Sequence, residues 1–321
     1  MKLVTFNING YSRIGAITEE NKVIDLNYAY QAKLQTEGKY RYQEIAEAFI
    51  PSQMKAFLQG GRDSIEIANS VVDFALNNSI EFKHQIVFDR DEVKIEAPLS
   101  NPGKIICVGH NYREHILEMG RELPKYPVVF AKFANTIIGP EDDIPYYPIS
   151  EQLDYEAELA FIVGKKAKNV SEENALDYVA GYTIANDVTY RDIQRRTIQW
   201  LQGKSVDGSA PIGPWIVTAD DLTDPSGLEI SLSVNGEERQ RSNTKNLVFT
   251  VPRLVEFLSN LMTLEPGDIV LTGTPGGVGV AREPQAFLKE GDVVRIEIDR
   301  IGVLENKVVM KKEGEVLSGK L

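Results

Sequence analysis

Two glutamates stand two positions apart in LDYEAELAFIVG, residues 153–164. In an extended chain, side chains i and i+2 face the same way. Glu156 and Glu158 therefore share a face with Ala160 and Ile162, while Ala157, Leu159, Phe161 and Val163 take the opposite one. Two like charges side by side on a half-apolar strand repel each other and resist burial unless a cation lies between them. A third carboxylate, Asp187, follows the apolar run Tyr182–Asn186 and can complete the set. Ligands that are all oxygen favour a hard cation, Mg2+, Mn2+ or Ca2+, over zinc. The competing reading is a strand face with both glutamates in water.

A second constellation is His115 with Glu118 in NYREHILEM, residues 111–119. On a helical turn i and i+3 face the same side, so the carboxylate can accept a proton from one imidazole nitrogen, orient the ring and raise its basicity toward water. The plainer alternative is an exposed histidine on a polar turn. Of the other two histidines, His84 lies in a polar connector and His110 lacks an acid at this spacing. Gly203-Lys204-Ser205 is not a phosphate loop, because the required earlier glycine position holds Ile198. Gly273–Gly279 (GTPGGVG) follows an apolar strand and suits a backbone that approaches a ligand, or simply a structural turn. Pro275 and Pro284 argue against a dinucleotide fingerprint there.

The elements that must carry these groups are mostly strands. After Gly103 the pattern predicts strands over Lys104–Val108, Val128–Phe133, Ala157–Gly164, Tyr182–Asp187, Glu229–Val234, Asp268–Thr272 and Val293–Asp299. Asn235-Gly236 marks a hairpin, and one helix is expected over Pro252–Met262. Before Gly103, a hairpin at Asn9-Gly10 and another near Glu19–Lys22 precede helical patterns over Tyr42–Leu58 and Asp63–Leu76. Pro98, Asn101, Pro102 and Gly103 suggest a boundary between a small N-terminal domain, 1–100, and a larger domain, 101–321. This order predicts an α+β, mostly β fold, with a mixed sheet rolled on itself rather than a doubly wound parallel sheet. Segment 111–126 is polar, broken by Gly120 and stopped by Pro124, so its short helix needs tertiary support and is expected to act as a lid.

The chain has 321 residues, 42% hydrophobic content and a formal net charge of −12. That charge disfavours nucleic acid and anionic membrane surfaces as partners. Cys107, the single cysteine, excludes an internal disulfide and a thiolate cluster, and its apolar neighbours mark it as a buried hydrophobe. MKLVTFNING has no apolar signal core, which leads to an expectation of a cytoplasmic protein.

Taken together, seven segments in order resemble the fumarylacetoacetate hydrolase family over residues 103 to about 308. They are VGHNYREHILEM (108–119), FAKF (130–133), LDYEAELAFIVGK (153–165), YVAGYTIANDVTYRDIQ (178–194), GKS (203–205), VNGE (234–237) and LEPGDIVLTGTPGGVG (264–279). The resemblance implies that Glu156, Glu158 and Asp187 bind Mg2+ or Mn2+, that His115 and Glu118 are a catalytic pair, and that Lys204 is catalytic. It implies that Lys132, Arg191, Gln194 and Thr274 line a substrate pocket, and that the protein is a homodimer. Eukaryotic fumarylacetoacetases carry a further aspartate ligand where this chain has Val108. The similarity is thus to a three-carboxylate branch of acylpyruvases, oxaloacetate decarboxylases and isomerases, which counts against fumarylacetoacetate itself as the substrate.

The expected substrate is a small 2-oxo acid, which chelates a divalent ion and becomes an enolate when a bond beside its ketone breaks. The His115–Glu118 pair favours hydrolysis of a C–C bond in a 2,4-dioxo acid, with Lys204 and Gln194 or Arg191 stabilising the oxyanion. Decarboxylation of oxaloacetate or isomerisation at the same metal is the alternative. A non-catalytic oxo-acid scaffold would have lost a ligand or the pair, and the sequence retains them all.

Overall fold

The computed structural model describes residues 1–78 and 81–311. Alternation along Ala157–Val163 sends the side chains into two different cores. Ala157, Leu159, Phe161 and Val163 pack into one cluster, and Ala160 and Ile162 into another. Both faces of this strand are therefore buried, and the reading of its glutamates as solvated is excluded.

Among the described residues the strands form a 12-stranded sheet, a five-stranded sheet and a two-stranded pair. The large sheet runs in the order Val87–Asp89, Lys22–Asp25, Tyr11–Ile17, Lys2–Ile8, Ala210–Thr218, Val179–Asn186, Ala157–Val163, Ile269–Leu271, Ile105–Gly109 and Val128–Lys132. Pairing is antiparallel along this path except where Ile269–Leu271 lies parallel to Ile105–Gly109, so the sheet is mixed. The five-stranded sheet is Glu237–Asn243, Glu229–Val234, Val293–Ile298, Gly302–Met310 and Ile144–Tyr146. It covers one face of the large sheet together with helix Val251–Leu261, through Ile230, Leu232, Ile296, Leu254 and Leu258.

Helices from the N-terminal segment cover the other face. Leu26, Ala29, Phe57, Leu58, Ala68 and Val71 pack with Ile105, Cys107, Ile162, Ile212 and Leu271. Sheet and core both cross the expected division at residue 100, because Leu3 pairs with Ile216. Cys107 is buried, as its neighbours predict, and burial pushes its thiol pKa well up.

Two N-terminal expectations are corrected. The run Tyr42–Leu58 is not one helix but two, Tyr42–Phe49 and Met54–Gln59. Pro51 lies in the break, where it offers no N–H and restricts the residue before it. A helix over Leu26–Thr36, capped by the Asp25 side chain, was not expected.

Close strand approach fixes one glycine. A Cβ on Gly181 would lie 2.3 Å from the Val217 carbonyl oxygen on the neighbouring strand. Gly181→Ala is expected to destabilise the protein by about 1–3 kcal/mol, read as a lowered midpoint in urea with an unchanged slope. An unchanged midpoint would mean that the two strands can part at no cost.

Candidate active site

Antiparallel register brings the three carboxylates together. Ala157 pairs with Asn186, so Glu156 and Asp187 meet across the strand ends. Asp187 N–H donates to the Glu156 carbonyl at 2.9 Å, and Glu156 N–H to Asn186 Oδ1 at 3.0 Å. One carboxylate oxygen from each of Glu156, Glu158 and Asp187 lies within 4.8 Å of the others. The three residues are 6%, 1% and 0% exposed.

Cations from distant parts of the chain surround the set. Lys204, at the end of the short helix Leu201–Lys204, donates to Glu156 and Asp187, both at 2.8 Å. Lys132, from the last strand of the large sheet, donates to Asp187 at 2.9 Å. Arg191, opening helix Arg191–Gln194, reaches Glu156 at 2.7 Å and Asp154 at 2.7 Å. Asp154 is buried and continues the two-residue series of Glu156 and Glu158, a signal the sequence reading passed over.

Four buried carboxylates face three buried cations, which leaves one negative charge uncancelled. The imbalance falls on Glu158. Burial pushes its pKa well up, and the neighbouring Asp187 and Glu156 carboxylates push it further. Glu156 shifts the other way, because Lys204 and Arg191 outweigh its burial. Burial alone would lower the Lys204 pKa, but Asp187 and Glu156 hold it above its ordinary value. An oxygen-only set with excess negative charge fits a hard divalent cation.

The glycine-rich loop after Ile269–Leu271 supplies backbone donors to these acids. Gly273 N–H donates to Glu158 at 2.6 Å, and Gly279 and Val280 N–H to Asp154 at 2.7 and 3.0 Å. Gly277 N–H donates to Glu118 at 2.9 Å. Gly277 adopts φ +100°, and a Cβ there would sit 2.0 Å from the Arg239 carbonyl, so no other residue type fits.

A cleft opens beside the carboxylates, and His115, Glu156, Glu158, Arg191, Gln194, Lys204 and Thr274 all line it. Lys132 does not. Its Nζ donates to Asp187 and to the Val188 carbonyl. The His115–Glu118 pair is also looser than its spacing implies. Both lie on helix Arg113–Glu118, but Nδ1 of His115 is 3.7 Å from the Glu118 carboxylate, which is turned to Gly277. This Nδ1 has no hydrogen-bond partner among the described residues.

The base of the helix is anchored by Asn111, whose side chain donates to Phe249 and Thr272 carbonyls and accepts from Phe249 N–H. Sequence reasoning also missed His110, Arg121, Arg195 and Trp200, which line the outer cleft. Burial, with Arg121 nearby, lowers the His110 pKa to about 4, so its ring is neutral at pH 7.

The family model for the fumarylacetoacetate hydrolase C-terminal domain matches residues 104–309. The chain belongs to this family. Among its relatives, "oxaloacetate tautomerase fahd2, mitochondrial" of Xenopus laevis is 43% identical over 96% of this chain and 90% of that protein. The structure of fumarylacetoacetate hydrolase from psychrophilic Exiguobacterium antarcticum is 33% identical, with TM-score 0.76, over 97% of this chain and 100% of that one. Maleylpyruvate hydrolase from Sphingobium sp. SYK-6, solved with manganese(II) and pyruvate, is 28% identical, with TM-score 0.74, over 97% and 100%. These structures bear out the mixed-sheet fold and the family resemblance.

The mitochondrial location carried by the Xenopus name overturns the cytoplasmic expectation. That expectation rested on a missing apolar core, whereas mitochondrial leaders are amphipathic and arginine-rich, so the criterion did not bear on them. Among the described residues, no helix is long and apolar enough to cross a membrane.

Glu158→Gln tests the charge imbalance. A carboxyl whose folded pKa is raised adds stability at low pH and loses it as pH rises from its ordinary 4.5 toward the raised value. In chelator at pH 7 the variant is expected to melt about 3 °C or more above the wild type, while Mn2+ stabilises only the wild type. Equal melting in chelator, or equal Mn2+ stabilisation of both, would contradict the assignment.

Proposed function

We infer that the protein is a divalent-metal-dependent enzyme acting on oxaloacetate, interconverting its keto and enol forms. The observation that carries this reading is the buried Glu156–Glu158–Asp187 set with its uncancelled charge at the edge of a cleft rich in nitrogen donors. The 43% identity to an oxaloacetate tautomerase supports the choice of reaction.

When bound by Glu156, Glu158 and Asp187, Mg2+ or Mn2+ would supply a Lewis acid for the charge of the enolate. The chain's own groups do the rest. Arg191 holds Glu156 and Asp154, yet its buried Nη2 has no acceptor among the described residues and can donate to a substrate carboxylate. Gln194 and Thr274 line the same wall, with Thr274 held by Gln240 at 2.8 Å. Lys204 places a buried positive charge beside the developing oxyanion. His115 takes the proton from C3 and returns one to the enol oxygen, so the net change is a moved proton with no bond to water. This role needs only a ring facing the cleft, not a tight hydrogen bond to Glu118.

Hydrolysis of a C–C bond in a 2,4-dioxo acid is the second reading. Glu118 and His115 share a helix face at 3.7 Å, so a small shift of the Glu118 carboxylate from Gly277 would assemble the water-activating pair. The maleylpyruvate hydrolase likeness favours the same reaction. The proposal includes a homodimer, supported by exposed Val129 and Phe133 at the last strand of the large sheet. Sedimentation near the 35.8 kDa of one chain would contradict that part.

Relaxation of enol oxaloacetate, followed by its ultraviolet absorbance, tests the reaction. Mg2+ or Mn2+ is expected to be required, and His115→Gln to lower kcat by about 10²–10⁴-fold while oxalate binding is kept. A metal-loaded enzyme that cleaves acylpyruvates but relaxes oxaloacetate no faster than buffer would establish the hydrolase reading instead.

A further inference from the structure

The distribution of unpaired arginines singles out the mouth of the cleft. In a chain of net charge −12 and fifteen arginines, ten arginines pair with an acid. Arg13, Arg41, Arg62, Arg90, Arg191, Arg239, Arg241, Arg253, Arg282 and Arg295 all make ion pairs, and Arg300 donates to the Asp221 carbonyl. Among the described residues, only the side chains of Arg113, Arg121, Arg195 and Arg196 have neither an ion pair nor a hydrogen bond. They fall on two short segments, 113–121 and 195–196. Arg121 and Arg195 line the cleft.

Acids on the same elements do not neutralise them. Glu114 accepts from Ser242, Glu118 from Gly277 N–H, and Asp192 from Ser150. These three carboxylates are tied elsewhere, and Glu122, next to Arg121 in the chain, makes no ion pair with it. The same cleft is lined by His110 and Trp200, whose rings meet edge-on at 5.3 Å. Both nitrogens of His110 are buried without hydrogen-bond partners among the described residues. A Cβ on Gly109 would lie 2.6 Å from the Trp200 ring, so the missing side chain there lets the indole pack against the backbone.

We propose that Arg121 and Arg195 form an anion subsite at the outer end of the cleft that takes the distal carboxylate of the substrate, making the enzyme selective for 2-oxo dicarboxylates over 2-oxo monocarboxylates. The inference deepens the oxaloacetate reading and rests on it for the inner anchor. The inner end, with Arg191, Lys204 and the three carboxylates, holds the 2-oxo acid group common to both classes. Only the outer end separates a substrate ending in a carboxylate from one ending in a methyl. Two guanidinium groups without internal partners supply that discrimination, since a charge-assisted pair forms there without breaking another.

Binding of an isosteric pair tests the subsite. In 3,3-dimethyl-2-oxobutanoate and dimethyloxaloacetate one methyl is exchanged for a carboxylate, and neither compound can enolise. Calorimetric titrations in Mn2+ would use the wild type, Arg121→Gln, Arg195→Gln and the double variant. The wild type is expected to bind the dicarboxylate about 10–100-fold more tightly than the monocarboxylate. The double variant is expected to lose that preference while binding the monocarboxylate as the wild type does. A wild type with no preference, one that fails to bind the dicarboxylate, or a double variant that keeps the preference overturns the subsite. Turnover is not needed for this measurement. A wild type that prefers the dicarboxylate but leaves oxaloacetate tautomers unrelaxed retires the reaction and keeps the subsite.

Discussion

Burying like charges is the constraint on which this structure turns. Glu156, Glu158 and Asp187 stand at the ends of two central strands, with Asp154 just behind. A buried carboxylate without compensation costs several kcal/mol. Compensation comes from every side: Lys132 from the terminal strand of the sheet, Lys204 and Arg191 from two short helices, and N–H groups from the Gly273–Gly279 loop. None of these elements is long, and two of the helices have four residues each. Their positions are set by the acids they reach as much as by their own packing. What they do not cancel is one negative charge, and with burial this surplus pushes up the pKa of Glu158 beside the cleft.

The strand carrying the glutamates was legible because two-residue alternation is a strong signal, and its consequence went further than expected. Leu159 and Phe161 enter one core, Ala160 and Ile162 the other, so the charges sit inside a sheet covered on both faces. The Asn9-Gly10 and Asn235-Gly236 hairpins and the helix near Pro252 were equally readable from turn chemistry and helical spacing. Helix Leu26–Thr36 was not. Its buried face includes Asn27 and Gln31, which bond the Ile50 carbonyl and each other, and polar residues at core positions hide the apolar stripe. Strand Ala210–Thr218 was hidden by Pro211, Gly213 and Pro214, which read locally as a loop.

The metal-ligand candidates could be read locally, but the cations around them could not. Lys132 and Asp187 are 55 positions apart, and Lys204 and Glu156 are 48 apart. Nothing in local pattern predicts such pairs. The resemblance placed Lys132 in the pocket wall beside a catalytic Lys204, whereas Lys204 lines the cleft and Lys132 donates to Asp187. The acceptor of the Gly277 amide was likewise unreadable, and it decides whether Glu118 serves the loop or His115. Tautomerisation, decarboxylation and C–C cleavage of 2-oxo acids all pass through an enolate, so the carboxylate set is common to them. The reaction is chosen by the groups around it.

The central claim is that one divalent ion answers the charge left on the three carboxylates. Anomalous scattering from crystals grown or soaked in Mn2+ tests it most directly. The account predicts a single strong peak bonded to carboxylate oxygens of Glu156, Glu158 and Asp187 together. A map with no peak there, or with manganese elsewhere while the three carboxylates keep only their lysine and arginine partners, would contradict it.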